Sequence, residues 1–84
     1  MDQPTRAQLA PLFHTSVQDV DIQLSLQADN HPAQCLETIA GLHRMIHEEP
    51  KFASASSSRV KVISKAARKA IKNLEAEALN GSED

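Results

Sequence analysis

The chain has no tryptophan and no tyrosine, and of its 84 residues only Phe13 and Phe52 are aromatic. Its core must therefore come from Leu, Ile, Val and Ala, which bury less area per residue than aromatic rings. A chain this short covers only about 60 to 65 per cent of the surface its unfolded form exposes, so its stability margin is thin and a homodimer is expected. A single cysteine, Cys35, excludes an intramolecular disulfide. No stretch approaches the roughly 20 apolar residues of a membrane span, and the N-terminus lacks the layout of a secretory signal. These absences lead us to expect a cytoplasmic protein with no membrane contact. With only Gly41 and Gly81 there is no glycine-rich phosphate loop, and the acids show no pairing suited to acid and base work. Neither an enzyme nor a bound cofactor is expected.

What is present is charge sorted by segment. The net charge of −2 hides a cationic stretch from 51 to 72, which holds Lys51, Arg59, Lys61, Lys65, Arg68, Lys69 and Lys72 and no acid. Acids outnumber bases before it, and the chain after it has acids alone.

Residues 1–15, with Pro4 and Pro11, read as a mobile N-terminal arm, residues 16–80 as one helical domain, and 81–84 as a disordered tail behind a glycine helix stop. Val20 to Gln27 alternates apolar and polar without a fault, the period of a strand with one buried face. As a helix, Val17, Val20, Leu24 and Ala28 would share a face, with Ile22 and Leu26 opposite. The alternation favours the strand, although Ser16-x-x-Asp19 also has the form of a helix capping box.

A helix over 31–48 follows from Pro32 in its first turn and from Cys35, Ile39, Leu42 and Ile46 at spacings of four, three and four, widened by Leu36 and Met45. Pro50 ends it. A second, over 58–79, is capped by Ser57 or Ser58 and carries the stripe Val60, Ile63, Ala67, Ile71, Leu74 and Ala78. The fold class expected is mainly α: a dimeric antiparallel two-helix hairpin after a short extended segment or helix, with Ile39, Leu42, Ile46, Val60, Ile63, Ala67, Ile71 and Leu74 as its dimer or core stripe.

Lys61, Lys65, Arg68 and Lys72 share one side of the second helix, with Lys69 at its edge. Like charges at such spacings repel by a few tenths of a kcal/mol per pair. Arg59 and Lys61 in the first turn, with Glu75 and Glu77 near the end, also run against the helix dipole. In a hairpin, Glu48 and Glu49 would approach Arg59 and Lys61, and Glu37 would approach Lys69 and Lys72, leaving a cationic surplus. The leading expectation is a small regulator or adaptor that binds a protein partner through Lys61, Lys65, Arg68, Lys69 and Lys72.

A strand followed by two helices in a small dimer also resembles the ribbon-helix-helix layout of bacterial and phage regulators. That resemblance implies a dimeric DNA-binding regulator in which Gln23 and Ser25 face bases while Ser57, Ser58 and Arg59 meet the backbone. Nucleic acid is thus the alternative partner, although Asp19 and Asp21 would then sit near phosphates.

His43 and His47 stand one turn apart, a spacing two metal ligands use, but Arg44 occupies the position where the zinc-protease signature needs Glu. We read them as helix-edge histidines and expect no metal. Cys35 lies mid-stripe and reads as a small buried hydrophobe. Gly41 costs its helix roughly 1 kcal/mol relative to Ala, which a close helix contact would explain and so would chance.

Overall fold

In the computed structural model, which describes residues 4–81, the chain folds as helices: α1 (Arg6–Leu9), α2 (Val17–Asn30), α3 (Pro32–Glu48) and α4 (Ser57–Gly81), with 3-10 turns at Ala10–Phe13 and Pro50–Phe52. Among the described residues there is no strand. Residues 1–3 of the expected arm and 82–84 of the expected tail lie outside the described residues.

The expected strand is the helix α2, and with it the ribbon-helix-helix layout falls. A lone strand would leave a row of backbone N–H and C=O groups without partners, because every other long element is helical. The helix satisfies those groups internally, and Ser16 Oγ accepts from Asp19 N at 3.2 Å to cap it. Val20, Leu24 and Ala28 are buried, while Ile22 is 53% and Leu26 57% exposed. The alternation is thus a helix with two apolar residues on its outer side.

His31 alone separates α2 from α3. Its N–H donates to Gln27 O at 2.7 Å and its carbonyl accepts from Cys35 N at 2.8 Å, so one residue closes one helix and opens the next. Pro32 stands in the first turn, where its missing N–H costs nothing. Past Glu49, Pro50 and the turn it starts, Ser56 caps α4 rather than Ser57 or Ser58: its Oγ accepts from Arg59 N at 3.2 Å.

Each of α2, α3 and α4 packs against the other two, so the unit is a bundle of three long helices rather than a pair with an appendage. The core joins Val20, Leu24 and Ala28 of α2 to Cys35, Ile39, Leu42 and Met45 of α3 and to Ile63, Ala66 and Ala70 of α4, with Leu9 and Phe52 closing the ends. Ile46 and Ala67 are partly buried against it.

On α4 the buried face is turned from the expected stripe. Ile63 holds its place, but Ala66 and Ala70 lie inside while Ile71 is 46% exposed. Two neighbours cause the rotation, because α4 must fill the seams of both α2 and α3 and small alanines let three helices approach one another. Val60 and Leu74 are half-buried at the edge, and from Glu75 to Leu79 every side chain is exposed. Residues 75–79 of α4, Ala78 included, therefore present no buried face.

The N-terminal segment carries more structure than an arm. Thr5 and Gln8 form a reciprocal capping box, Thr5 N donating to Gln8 Oε1 at 2.8 Å and Gln8 N to Thr5 Oγ1 at 3.3 Å. Leu9 is driven into the bundle beside Gly41, where a Cβ on residue 41 would collide with Leu9 Cδ1. Of the two readings of Gly41, a close contact or chance, the structure has the contact, made by α1. The two aromatic rings also meet: Phe13 and Phe52 stack with centroids 4.1 Å apart.

Candidate interaction surface

The five cations expected to form one face divide into two sets. On the side of α4 that meets α2, Lys65 Nζ lies 3.4 Å from both carboxylate oxygens of Asp21, and Lys69 Nζ lies 3.0 Å from Asp29 Oδ2. Asn73, two turns beyond Ala66, donates through Nδ2 to Ala28 O at 2.9 Å and to Asp29 Oδ1 at 3.3 Å. These contacts advance in the same sense along both helices and set their register. Lys61, Arg68 and Lys72 lie on the outward side, all exposed. Among the described residues no carboxylate comes within ion-pair distance of them.

The acids expected to answer this helix are engaged elsewhere. Arg6 reaches Glu48 Oε2 at 2.9 Å and Glu49 Oε2 at 3.5 Å, and Lys51 stands 4.0 Å from Glu49 Oε1. Glu49 Oε2 is buried with no hydrogen bond of good geometry, so the Arg6 contact there is electrostatic rather than directional. Glu48 and Glu49 thus tie the N-terminal segment to the end of α3 and do not pair with Arg59 or Lys61. Lys69 takes Asp29 in place of the expected Glu37.

The residues assigned to bases and phosphates are not brought together. Gln23 is exposed on α2 while Ser25 is half-buried and donates to Asp21 Oδ1 at 3.3 Å. Arg59 is half-buried, its guanidinium donating to the carbonyl of Leu12, which makes it a clamp on the N-terminal segment. Ser58 is exposed in the first turn of α4.

His43 is half-buried and His47 exposed, and among the described residues no three potential metal ligands cluster. Cys35 is fully buried and its thiol donates to Leu24 O at 3.6 Å. Burial pushes the thiol's pKa above its ordinary value, so the neutral form is held in place. No helix is long and apolar enough to cross a membrane among the described residues.

Set against known proteins, the chain matches no family model, no curated protein and no solved structure. The surface must therefore be read from its own chemistry. Sequence reasoning missed Asn73, and its signal was weak: one amide in a run of Lys and Ala, legible only once α2 is known to be a helix that ends beside it.

Proposed function

We propose that this chain is a small regulator or adaptor that binds an acidic segment of a protein partner along the outward side of α4. One observation carries the reading: Lys61, Arg68 and Lys72 stay without carboxylates among the described residues although Lys65 and Lys69, their neighbours on the same helix, both have one. The three span about 16 Å at 1.5 Å rise per residue. Arg68 and Lys72, one turn apart, repel each other, and Lys61 stands next to the first turn of α4, where the dipole disfavours a cation, so helix stability does not account for them. Ile71, 46% exposed beside this row, supplies apolar contact. Ile63, Ala66 and Ala70 serve the bundle core, so the docking role falls mainly on the charges.

A net charge of −2 favours a short acidic protein segment, which meets only the cationic side, over a long polyanion, which also runs past the acidic parts of the chain. The binding unit in this reading is a cytoplasmic homodimer, with Ile22 and Leu26 exposed on one side of α2 as candidate contacts. Light scattering that found only monomer at micromolar concentration would remove the dimer without touching the cationic row.

The test uses fluorescence anisotropy with two probes, a labelled glutamate-rich peptide and a labelled DNA duplex, across a salt series. The expected result is binding of the peptide that disappears in the triple variant Lys61→Glu, Arg68→Glu, Lys72→Glu, with little duplex binding. Duplex binding with a log–log salt slope near about −3, the value for three phosphate contacts, would replace the protein partner with nucleic acid. Binding of neither probe overturns the assignment of the row.

A further inference from the structure

We propose that the acidic segment met by the cationic row is the end of α4 in a second copy of this chain, the two helices pairing antiparallel about a twofold axis near residue 72. The inference rests on the reading of that row and names its partner.

An apolar seam for such a pair is in place. Ala67, Ile71, Leu74 and Ala78 recur at spacings of four, three and four, the period along which two helices pack. Ala67 and Leu74 are half-buried at the edge of the bundle, while Ile71 is 46% exposed and Ala78 is exposed. Asn73 already meets the last turn of α2. Beyond it α4 runs past the bundle, with every side chain from Glu75 to Leu79 exposed.

Charge decides the occupant and its direction. Glu75 stands two turns beyond Arg68 on the same side of α4, about 10 Å along the axis. Among the described residues Glu75 has no base within ion-pair distance, and residues 1–3 and 82–84 contain no Lys or Arg. A helix side with a cation before an apolar pair and an acid after it is complementary to itself when turned end for end. Antiparallel pairing sets Arg68 of each copy against Glu75 of the partner subunit and Ile71 against Leu74 of the partner subunit. One axis thus makes every contact twice, as a closed dimer requires. Parallel pairing would set Arg68 level with Arg68 of the partner subunit, like charge against like. The other exposed apolar pair, Ile22 and Leu26, lies on a helix that carries Asp19, Asp21 and Asp29 and no Lys or Arg, so a second copy set there meets only acid.

Sedimentation velocity of the full chain over a micromolar concentration series tests this with Arg68→Glu and Glu75→Arg, each checked for folding by circular dichroism. The parent chain is expected to dimerise, and each variant alone to dimerise at least about tenfold more weakly. Mixed in equal amounts, the two variants should pair with each other as tightly as the parent does, because each then supplies the charge the other lacks. The labelled glutamate-rich peptide, at saturation, should dissociate the parent dimer. A monomer that binds this peptide through the row would overturn the inference and leave the reading of the row standing, whereas a monomer that binds no peptide overturns both. A dimer indifferent to the two changes, or variants that stay apart when mixed, would overturn this interface.

Discussion

Helices α2 and α4 lie side by side and treat their outer surfaces differently. On α2 the acids Asp21 and Asp29 turn to the seam and the apolar Ile22 and Leu26 face outward. On α4 Ile63, Ala66 and Ala70 turn inward, and the cations split between the seam and the outward side. The difference teaches that in a bundle this small the seam selects what it needs for register, four charged groups and one amide. Side chains beyond the seam are left without a structural task. Those outward groups, Ile22 and Leu26 on one helix and Lys61, Arg68 and Lys72 on the other, are where a function has room to act.

The largest effect should separate the two sides of α2. Leu24→Ala, at a fully buried position, should cost about 2 to 5 kcal/mol, enough to unfold much of a domain with so little core, as read by chemical denaturation. Leu26→Ser, one turn-half away on the outer side, should stay within about 0.5 kcal/mol. Equal losses at the two positions would mean that Leu26 is covered in solution, as in a dimer.

Next in size is Gly41→Ala. Crowding of Leu9 should cost about 1 to 3 kcal/mol, offset by about 1 kcal/mol of helix propensity. The readout that isolates the clash is limited proteolysis, with faster cleavage at Arg6 as α1 lifts from α3.

The two sets of cations on α4 should differ by sign. Lys65→Glu or Lys69→Glu places two acids together at the seam and should lower stability by up to about 1 kcal/mol, since these pairs are exposed. Lys61→Glu relieves repulsion and suits the helix dipole, and should raise stability by a few tenths of a kcal/mol. Thermal melts at low salt, repeated at high salt where both changes shrink, check this.

The smallest effect is on pH. The Cys35 thiol has a pKa raised by burial in the folded state, so the folded chain holds that proton more tightly than the unfolded one. Its contribution to stability is complete below the ordinary thiol pKa and is lost as pH rises through the higher folded value. Stability measured against pH on the alkaline side should fall more steeply in the parent chain than in Cys35→Ala.

Where the apolar period was unambiguous, the chain was legible. Pro32, the four-three-four spacing after it and Pro50 bound α3 correctly, and the serine run and the cationic stretch placed α4 to within a residue or two at each end. Reading α2 failed because periodicity equates apolar with buried. Ile22 and Leu26 break that equation, and the correct local signal, Ser16 with Asp19, was outweighed by them. The rotated face of α4 was hidden for the opposite reason. Ala66 and Ala70 are too small to mark a core stripe, and only a third helix makes them interior. In the candidate site, the presence of a cationic row could be read, but its division into engaged and outward halves could not, because it depends on Asp21 and Asp29 belonging to a helix that reaches α4.

The single-residue link at His31 has a kinetic consequence. Joining α2 to α3 closes almost no loop, so the entropy of bringing them together is small and this pair can form on the timescale of helix formation itself. Contacts that recruit α4 and the N-terminal segment bridge 44 and 47 residues and must wait for longer excursions of the chain. Refolding should thus begin as a two-helix nucleus centred on residue 31, with the cation-bearing helix as the later arrival.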